Sequence, residues 1–441
     1  MITLRQGARS TDVKLLQVWL LRLGYNPGPT DGIFGVLTKL AVTQFQKDNG
    51  LTPDGVVGPL TWQILQTKEL DYQLYTIQSG DTLYKISLRF QLSLTDLKSA
   101  NPGIDPDRLL VGQQIWVPKL EAKPVIIRSV AGWIPYWLQT QAMLSLQNQT
   151  DLFHILSPFW YELSPSGEII KYLGAEDSSI LSFAKIHGLK MIPLITNVFS
   201  SERISSVLND PVIRHNHITS IITLLSQMNY DGIDMNYENL FVTDREIYVL
   251  FLQELKAALN NIGKQLVVTV HAKTNPVGIW SGAEAHDYVG IGQAADAVRI
   301  MGYDFNWQGG VAGPIAPADW INGVLAYAVS TIPKSKVVLG VPTYGYDWPL
   351  GQVGKGITYN YAVSTASHYN IPISKDAQLG PHYAYSLNNV GHEVWFSDAN
   401  SLATLLDLVN LYDINGICFW YLSAEDPKIY STIRTKFTIS N

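Results

Sequence analysis

Eight apolar runs recur through the C-terminal two thirds of the chain, and helix-like stretches lie between most of them. From Val125 onward they read VIIRSVAGWIPYW, DLFHILSPFWYEL, LKMIPLIT, YDGIDMNYE, LVVTVHA, AVRIMGYD, VVLGVPTYG and INGICFWYL, at intervals of about 25 to 40 residues with one longer gap. The stretches SSILSFAKIHG, HITSIITLLSQMN, REIYVLFLQELKAALNNIG and PADWINGVLAYAVSTI carry the apolar spacing of amphipathic helices. A strand followed by a helix, eight times over, predicts an α/β fold, a (β/α)8 TIM barrel spanning residues 124–441. A doubly wound open sheet is the alternative, and no glycine-rich phosphate loop follows the first strand to support it. The long gap holds ITYNYAVSTASHYN and HYAYSLNNVGHEVWFSD, which predict an inserted hairpin or small α+β lobe at about 347–398.

Two smaller regions precede the barrel. Residues 1–68 contain an echo, DGIFGVLT at Asp31 to Thr38 and DGVVGPLT at Asp54 to Thr61. Each Asp-Gly marks a turn, and each Thr stands near the start of an apolar-periodic segment. With the amphipathic stretch VKLLQVWLLRLGY ahead of them, they predict a small three-helix domain. Its doubled D-G-x-x-G-x-x-T turn resembles the bacterial peptidoglycan-binding domain, a generic helical spacer being the alternative. Residues 72–118 read as strand, helix, helix, strand, and Ser79-Gly80-Asp81-Thr82 can cap the first helix. This βααβ pattern, with its GDTL opening and Asn-Pro loop, resembles a LysM module. The resemblance implies a groove for N-acetylglucosamine glycans at Gly80, Asp81, Thr82, Leu83, Pro102 and Ile104.

Composition narrows the partners. Charged residues are 15% of the chain and aromatics 11%, which suits neutral, ring-shaped ligands such as sugars. The net charge of −6 gives no reason to expect nucleic acid or an anionic membrane as partner. The first 120 residues hold 12 basic and 10 acidic side chains, a near-neutral front end that tolerates an anionic polymer. The one cysteine, Cys418, excludes an internal disulfide and reads as a core residue in ICFW. The histidines show no metal-ligand spacing, and neither metal nor cofactor is expected. No apolar run reaches membrane-spanning length, and the N-terminus lacks the layout of a secretory signal.

The chemistry concentrates in YDGIDMNYE. In a strand, Asp234, Asn236 and Glu238 project together into the barrel while Ile233, Met235 and Tyr237 face the helices. Glu238 closes the row at the strand's C-terminal end, where barrel enzymes place their chemistry. A carboxyl pair there should raise one pKa, as a general acid near neutral pH requires, so Glu238 is the candidate acid/base. A purely structural hydrogen-bond network inside the barrel is the alternative.

The stretch resembles the D-G-x-D-x-D-x-E signature of family 18 glycoside hydrolases, the chitinase-like barrels. Met301-Gly302-Tyr303-Asp304 matches the M-x-Y-D of the sixth strand, and Trp420 the tryptophan ending the eighth. The order of modules is similar to that of bacterial spore cortex-lytic N-acetylglucosaminidases. The resemblance implies substrate-assisted hydrolysis, with Glu238 protonating the glycosidic oxygen and the sugar's own 2-acetamido group attacking C1. It further implies that Tyr303 donates to the acetamido carbonyl, that Trp420 floors the sugar site, and that Asp304 and Met301 shape it. The family's third Asp is Asn236 here, with Asp234 expected to compensate by acting through it or reaching the site directly. Trp133, Tyr136, Tyr344 and Trp395 are further candidates to stack on sugars. The expected function is hydrolysis of peptidoglycan, of spore cortex in particular, by a monomer associated with spore or cell wall. A chitinase, or a silent glycan-binding barrel, remains the alternative.

Overall fold

The computed structural model describes residues 3–69, 72–90, 97–98, 100–101, 104–106, 108–118, 128–278 and 280–437. Its contacts divide the chain into two compact units, Met1–Val125 and Ile126–Asn441.

The larger unit is a closed barrel of parallel strands. In chain order they are Ser129–Pro135, Ile155–Leu163, a third strand split around Pro193 (Lys190–Met191 and Leu194–Thr196), and Gly232–Asn236. Gln265–His271, Ala297–Met301, Val337–Pro342 and Gly416–Trp420 complete the ring. Each pairs with the next, and the eighth pairs with the first through Ile417↔Val130 and its neighbours. Ring closure is what separates a barrel from the doubly wound alternative.

The main core lies between strands and helices. Ile233, Met235 and Tyr237 are wholly buried there, in one cluster with Tyr248, Phe251, Leu252 and Leu255 of the helix Arg245–Asn260. The opposite face of that strand, with Asp234 and Asn236, turns into the barrel, as the two-residue period requires.

Between the seventh and eighth strands the chain builds an α+β lobe. Its antiparallel sheet runs Lys355–Thr358, Tyr344–Pro349, Val390–Phe396, His382–Leu387, and the helix Tyr359–His368 packs against it over Tyr383, Val394 and Phe396.

In the first unit, the helices Thr11–Arg22, Val36–Asp48 and Pro59–Glu69 enclose a small core that includes Leu16, Trp19, Phe34, Phe45 and Trp62. The echoed turns are held by two equivalent buried glutamines. Gln17 accepts from the Gly32 N–H and donates to Asp31, the Ile33 carbonyl and Thr38. Gln46 does the same with Gly55, Asp54, the Val56 carbonyl and Thr61. Gly32 and Gly55 have φ of +80° and +69°, a conformation in which a Cβ is strained. In the following module, Tyr72–Thr76 and Gln114–Pro118 pair antiparallel, with the helix Leu83–Arg89 between them in sequence. The second predicted helix and Pro102 lie largely or wholly outside the described residues.

Candidate active site

Two carboxylates on the fourth strand's inward row meet different surroundings. Asp234 is fully buried and accepts three side-chain hydrogen bonds, from Trp133 Nε1 (2.9 Å), Thr269 Oγ1 (2.7 Å) and Arg299 (2.7 Å). Arg299 also donates to Ser157 Oγ at 2.7 Å and lies over the Trp133 ring at 5.3 Å. A buried carboxylate is tolerable when its lone pairs and charge are both answered, and Asp234 has both.

Glu238, just beyond the strand end, is 8% exposed and has one side-chain donor, Asn236 Nδ2, at 3.1 Å from Oε1. Burial raises its pKa to about 7, with the Asn236 hydrogen bond pulling down and the charge of Asp304 adding to the rise. The expectation of a carboxyl pair is therefore corrected in its partner. None of the hydrogen bonds of Asp234 goes to Asn236 or Glu238, so desolvation and Asp304 supply what Asp234 was expected to supply.

The backbone at Glu238 is clamped from two sides. Asn197, one residue past the third strand, accepts from the Glu238 N–H (2.9 Å) and donates to the Glu238 carbonyl (2.6 Å). His286 Nε2 meets the Tyr237 carbonyl at 2.9 Å, while its Nδ1 accepts from the His271 N–H, which fixes the tautomer with the proton on Nε2. The Tyr237 hydroxyl bonds His217 Nε2 at 2.6 Å on the helix side.

Asn236 Oδ1 is buried with no hydrogen-bond partner, although its Nδ2 is engaged by Glu238. An unpaired buried acceptor is unfavourable, and this one has room in its chemistry for a donor from outside the protein.

Further residues of the site come from the C-terminal ends of the sixth and eighth strands. Tyr303 and Trp420 are half-buried, with rings nearly parallel (13°) and centroids 6.3 Å apart. Trp133 meets Trp420 edge-on at 5.9 Å. Asp304, at φ +56°, accepts from the Tyr344 hydroxyl at 2.5 Å and the Tyr346 hydroxyl at 2.9 Å, and burial raises its pKa. Met301 is the last residue of the sixth strand, paired in register with His271 and Gly340. The Trp420–Tyr421 peptide bond is cis.

The candidates for sugar stacking divide. Trp133, Tyr344 and Trp395 are 1%, 4% and 9% exposed, and each ring nitrogen or hydroxyl is engaged, with Asp234, Asp304 and Glu393 respectively. Trp395 also stacks on His382 at 3.9 Å. These rings are built into the walls, so free stacking faces are corrected to packing roles. Tyr136 is partly exposed but lies flat against Tyr172 at 4.3 Å. Trp137, which the first apolar run also offers as a stacking ring, is exposed, and so are Phe199, Phe241, Trp280, Phe305 and Trp307. All six follow the C-terminal ends of barrel strands, and the last five lie in loops where hydrophobic periodicity gives no signal. Among the described residues no group of His, Cys, Asp and Glu is placed to hold a metal.

In the LysM-like module the Thr82 hydroxyl caps the helix by accepting from Lys85 N at 3.1 Å. Asp81 does not cap it; the carboxylate accepts from the Tyr75 hydroxyl and the Gln78 N–H. Leu83 is buried in the small core with Ile77, Ile86 and Ile115, and Ile104 packs against that core, so their side chains are corrected from groove lining to packing. Gly80, at φ +81°, leaves backbone exposed at the turn. Asn101, of the Asn-Pro loop, donates to the Trp116 carbonyl and accepts from the Trp116 N–H, tying that loop to the closing strand.

A barrel with an acid poised at the end of its fourth strand defines a class, and comparison with known proteins bears on it directly. The model of glycosyl hydrolases family 18 matches residues 133–425, and the chain belongs to that family. A peptidoglycan binding domain model matches residues 9–65 and a LysM domain model residues 75–118. The cortical fragment-lytic enzyme of Bacillus anthracis is 31% identical over 97% of this chain and 99% of its own length. The crystal structure of the Bacillus cereus spore cortex-lytic enzyme SleL superposes with a TM-score of 0.69 and 28% identity, over 100% of this chain and 98% of that one. A chitinase from Chromobacterium violaceum shares the fold at a TM-score of 0.66 and 23% identity, over 70% of this chain and 98% of its own.

Proposed function

We propose that this chain hydrolyses peptidoglycan, that of the spore cortex in particular, at the bond after N-acetylglucosamine, with retention and with help from the substrate. The observation that carries the mechanism is the pairing of Glu238, raised to about 7, with an Asn236 whose Oδ1 has no partner. Near neutral pH a substantial fraction of Glu238 is the acid that must protonate the glycosidic oxygen.

A retaining mechanism needs a nucleophile, and the two carboxylates nearest Glu238 among the described residues are already engaged. Asp234 is held by Arg299, Trp133 and Thr269, and Asp304 by two tyrosine hydroxyls. The acetamido carbonyl of the sugar supplies the missing nucleophile. Asn236 Oδ1 would accept the acetamido N–H and aim the carbonyl at C1, and Tyr303 would donate to that carbonyl. Trp420 would pack beneath the ring. After the oxazolinium ion forms, the Glu238 carboxylate takes a proton from water, which opens the ring with net retention.

The substrate class is supported by the relatives that act on spore cortex and by the two front modules, which would hold the barrel on a glycan polymer and raise its local concentration. Placement at the spore or cell wall follows from the same reading. The test incubates the protein and Glu238→Gln with cortex peptidoglycan, vegetative peptidoglycan and chitin oligomers, identifying new reducing ends by mass spectrometry. Release from cortex by the wild type alone is expected. Equal, negligible release by both on every substrate leaves only a glycan-binding barrel, and a preference for chitin oligomers moves the substrate.

A further inference from the structure

One buried polar atom beside Glu238 has no part in the mechanism above. His271 ends the fifth strand, and the register Met235↔Val268, carried three residues on, brings it level with Glu238. Its Nε2 is buried without a hydrogen-bond partner and lies 3.6 Å from Glu238 Oε2. The imidazole is held in place on both sides, stacked on His286 at 5.2 Å and edge-on to Trp280 at 4.5 Å.

The oxygen it faces is the one that matters. Asn236 Nδ2 can only donate, so Glu238 Oε1 accepts, which favours Oε2 as the oxygen that carries the acidic proton. We propose that His271, as a neutral imidazole donating from Nε2, is a positioning residue that steadies the Glu238 carboxylate as its proton leaves Oε2. This rests on the hydrolytic role given to Glu238.

A separation of 3.6 Å is too long for a hydrogen bond in the free protein. Catalytic contacts are often long in a free enzyme and tighten when substrate binds. No proton passes to the imidazole. Burial and the neighbouring His286 hold the His271 pKa well below its usual value, so it stays neutral and lends a donor without adding charge. The other groups around Glu238 leave this donor place open. Asn236 serves Oε1, Asn197 serves the backbone, Asp304 brings negative charge, the Tyr303 hydroxyl is given to the acetamido carbonyl, Asp234 is matched by Arg299, and His286 is neutral with its N–H on the Tyr237 carbonyl.

The test compares wild type, His271→Leu and His271→Gln on cortex fragments, reading kcat, KM and the pH profile. The basic limb reports loss of the proton from Glu238. Removing a donor to the carboxylate disfavours its charged form, so in His271→Leu this limb moves to higher pH. We expect kcat to fall about tenfold, as for loss of one hydrogen bond to an ionising group, with KM changed less than about twofold. His271→Gln, whose amide can donate, should recover most of kcat and return the limb toward wild type. Equal impairment of both variants with an unmoved limb overturns the proposal and leaves His271 a packing residue, as does wild-type behaviour of His271→Leu. If the leucine variant melts early, His271→Met, of similar reach and without a donor, takes its place. A wild type as inactive as Glu238→Gln removes instead the hydrolytic reading beneath it.

Discussion

Asp234 and Glu238 are four residues apart on one inward-facing row, and they end in opposite chemical states. Asp234 sits deep in the barrel with Arg299, Trp133 and Thr269 answering its oxygens. Glu238 sits at the mouth, nearly as buried, with one amide donor and a pKa raised to about 7. Depth of burial therefore does not separate structural from chemical carboxylates here; the supply of donors and counter-charge does. The barrel interior answers Asp234 with the buried Arg299, and the mouth withholds the same compensation so that its acid can keep a proton.

The comparison is broken most directly at Glu238. Glu238→Gln should lower kcat by about 10²- to 10⁴-fold, the usual worth of a general acid, measured as reducing ends released. The same variant sharpens the electrostatic half of the contrast. A carboxyl raised from 4.5 to about 7 contributes stability that is fully present below pH 4.5 and is lost as pH rises through 7. Glu238→Gln should abolish that decline, about 3 kcal/mol in wild type, as read from denaturant midpoints between pH 4 and 8.

Next is the anchored carboxylate. Arg299→Met leaves Asp234 buried with an unanswered charge and should destabilise the barrel by about 3 to 5 kcal/mol. Pairing it with Asp234→Leu should restore much of that loss in chemical denaturation, because removing both charges removes the penalty. If Arg299→Met left stability unchanged, Asp234 would not depend on its counter-charge and the contrast would fail.

Asn197→Ala tests whether the mouth needs its backbone clamp. It deletes both hydrogen bonds to the Glu238 peptide and should lower kcat by about tenfold, with stability down by about 1 to 3 kcal/mol. The smallest effect is expected from Asn236→Asp. Replacing the donor to Glu238 with an acid raises the Glu238 pKa further, so the basic limb of the pH profile should move up. Activity on N-acetylglucosamine oligomers should rise by less than about tenfold. An unmoved limb would mean that Asn236 does not set the acidity of its neighbour.

The barrel was legible because its signal is local and repeated eight times, and the two inward and outward rows of the fourth strand followed from a period of two. The doubled Asp-Gly turn and the GDTL stretch were equally local. Their holders were not: nothing in the spacing marks Gln17 and Gln46 as equivalent, since they lie 14 and 8 residues before their turns. Arg299 left a faint trace, a charge within the apolar strand AVRIM that has to meet a partner inside the barrel.

Stacking rings were misplaced for a related reason. An aromatic at a strand end, such as Trp133 or Tyr344, can face cleft or wall with the same sequence pattern, and hydrogen bonds to Asp234 and Asp304 from other strands decide for the wall.

By itself the sequence determined the periodicity of strands and helices, the row that ends in Glu238 and the amide at Asn236. Tertiary structure alone decided which carboxylate is neutralised and which keeps its proton. That choice depends on groups 35 to 101 residues away in the chain, Trp133, Thr269 and Arg299 around Asp234 and Asp304 near Glu238, brought together only by closing the ring. Residue type and alternation set where a side chain points, whereas its charge depends on the donors and dielectric it finds there, and those are assembled only when all eight strands meet.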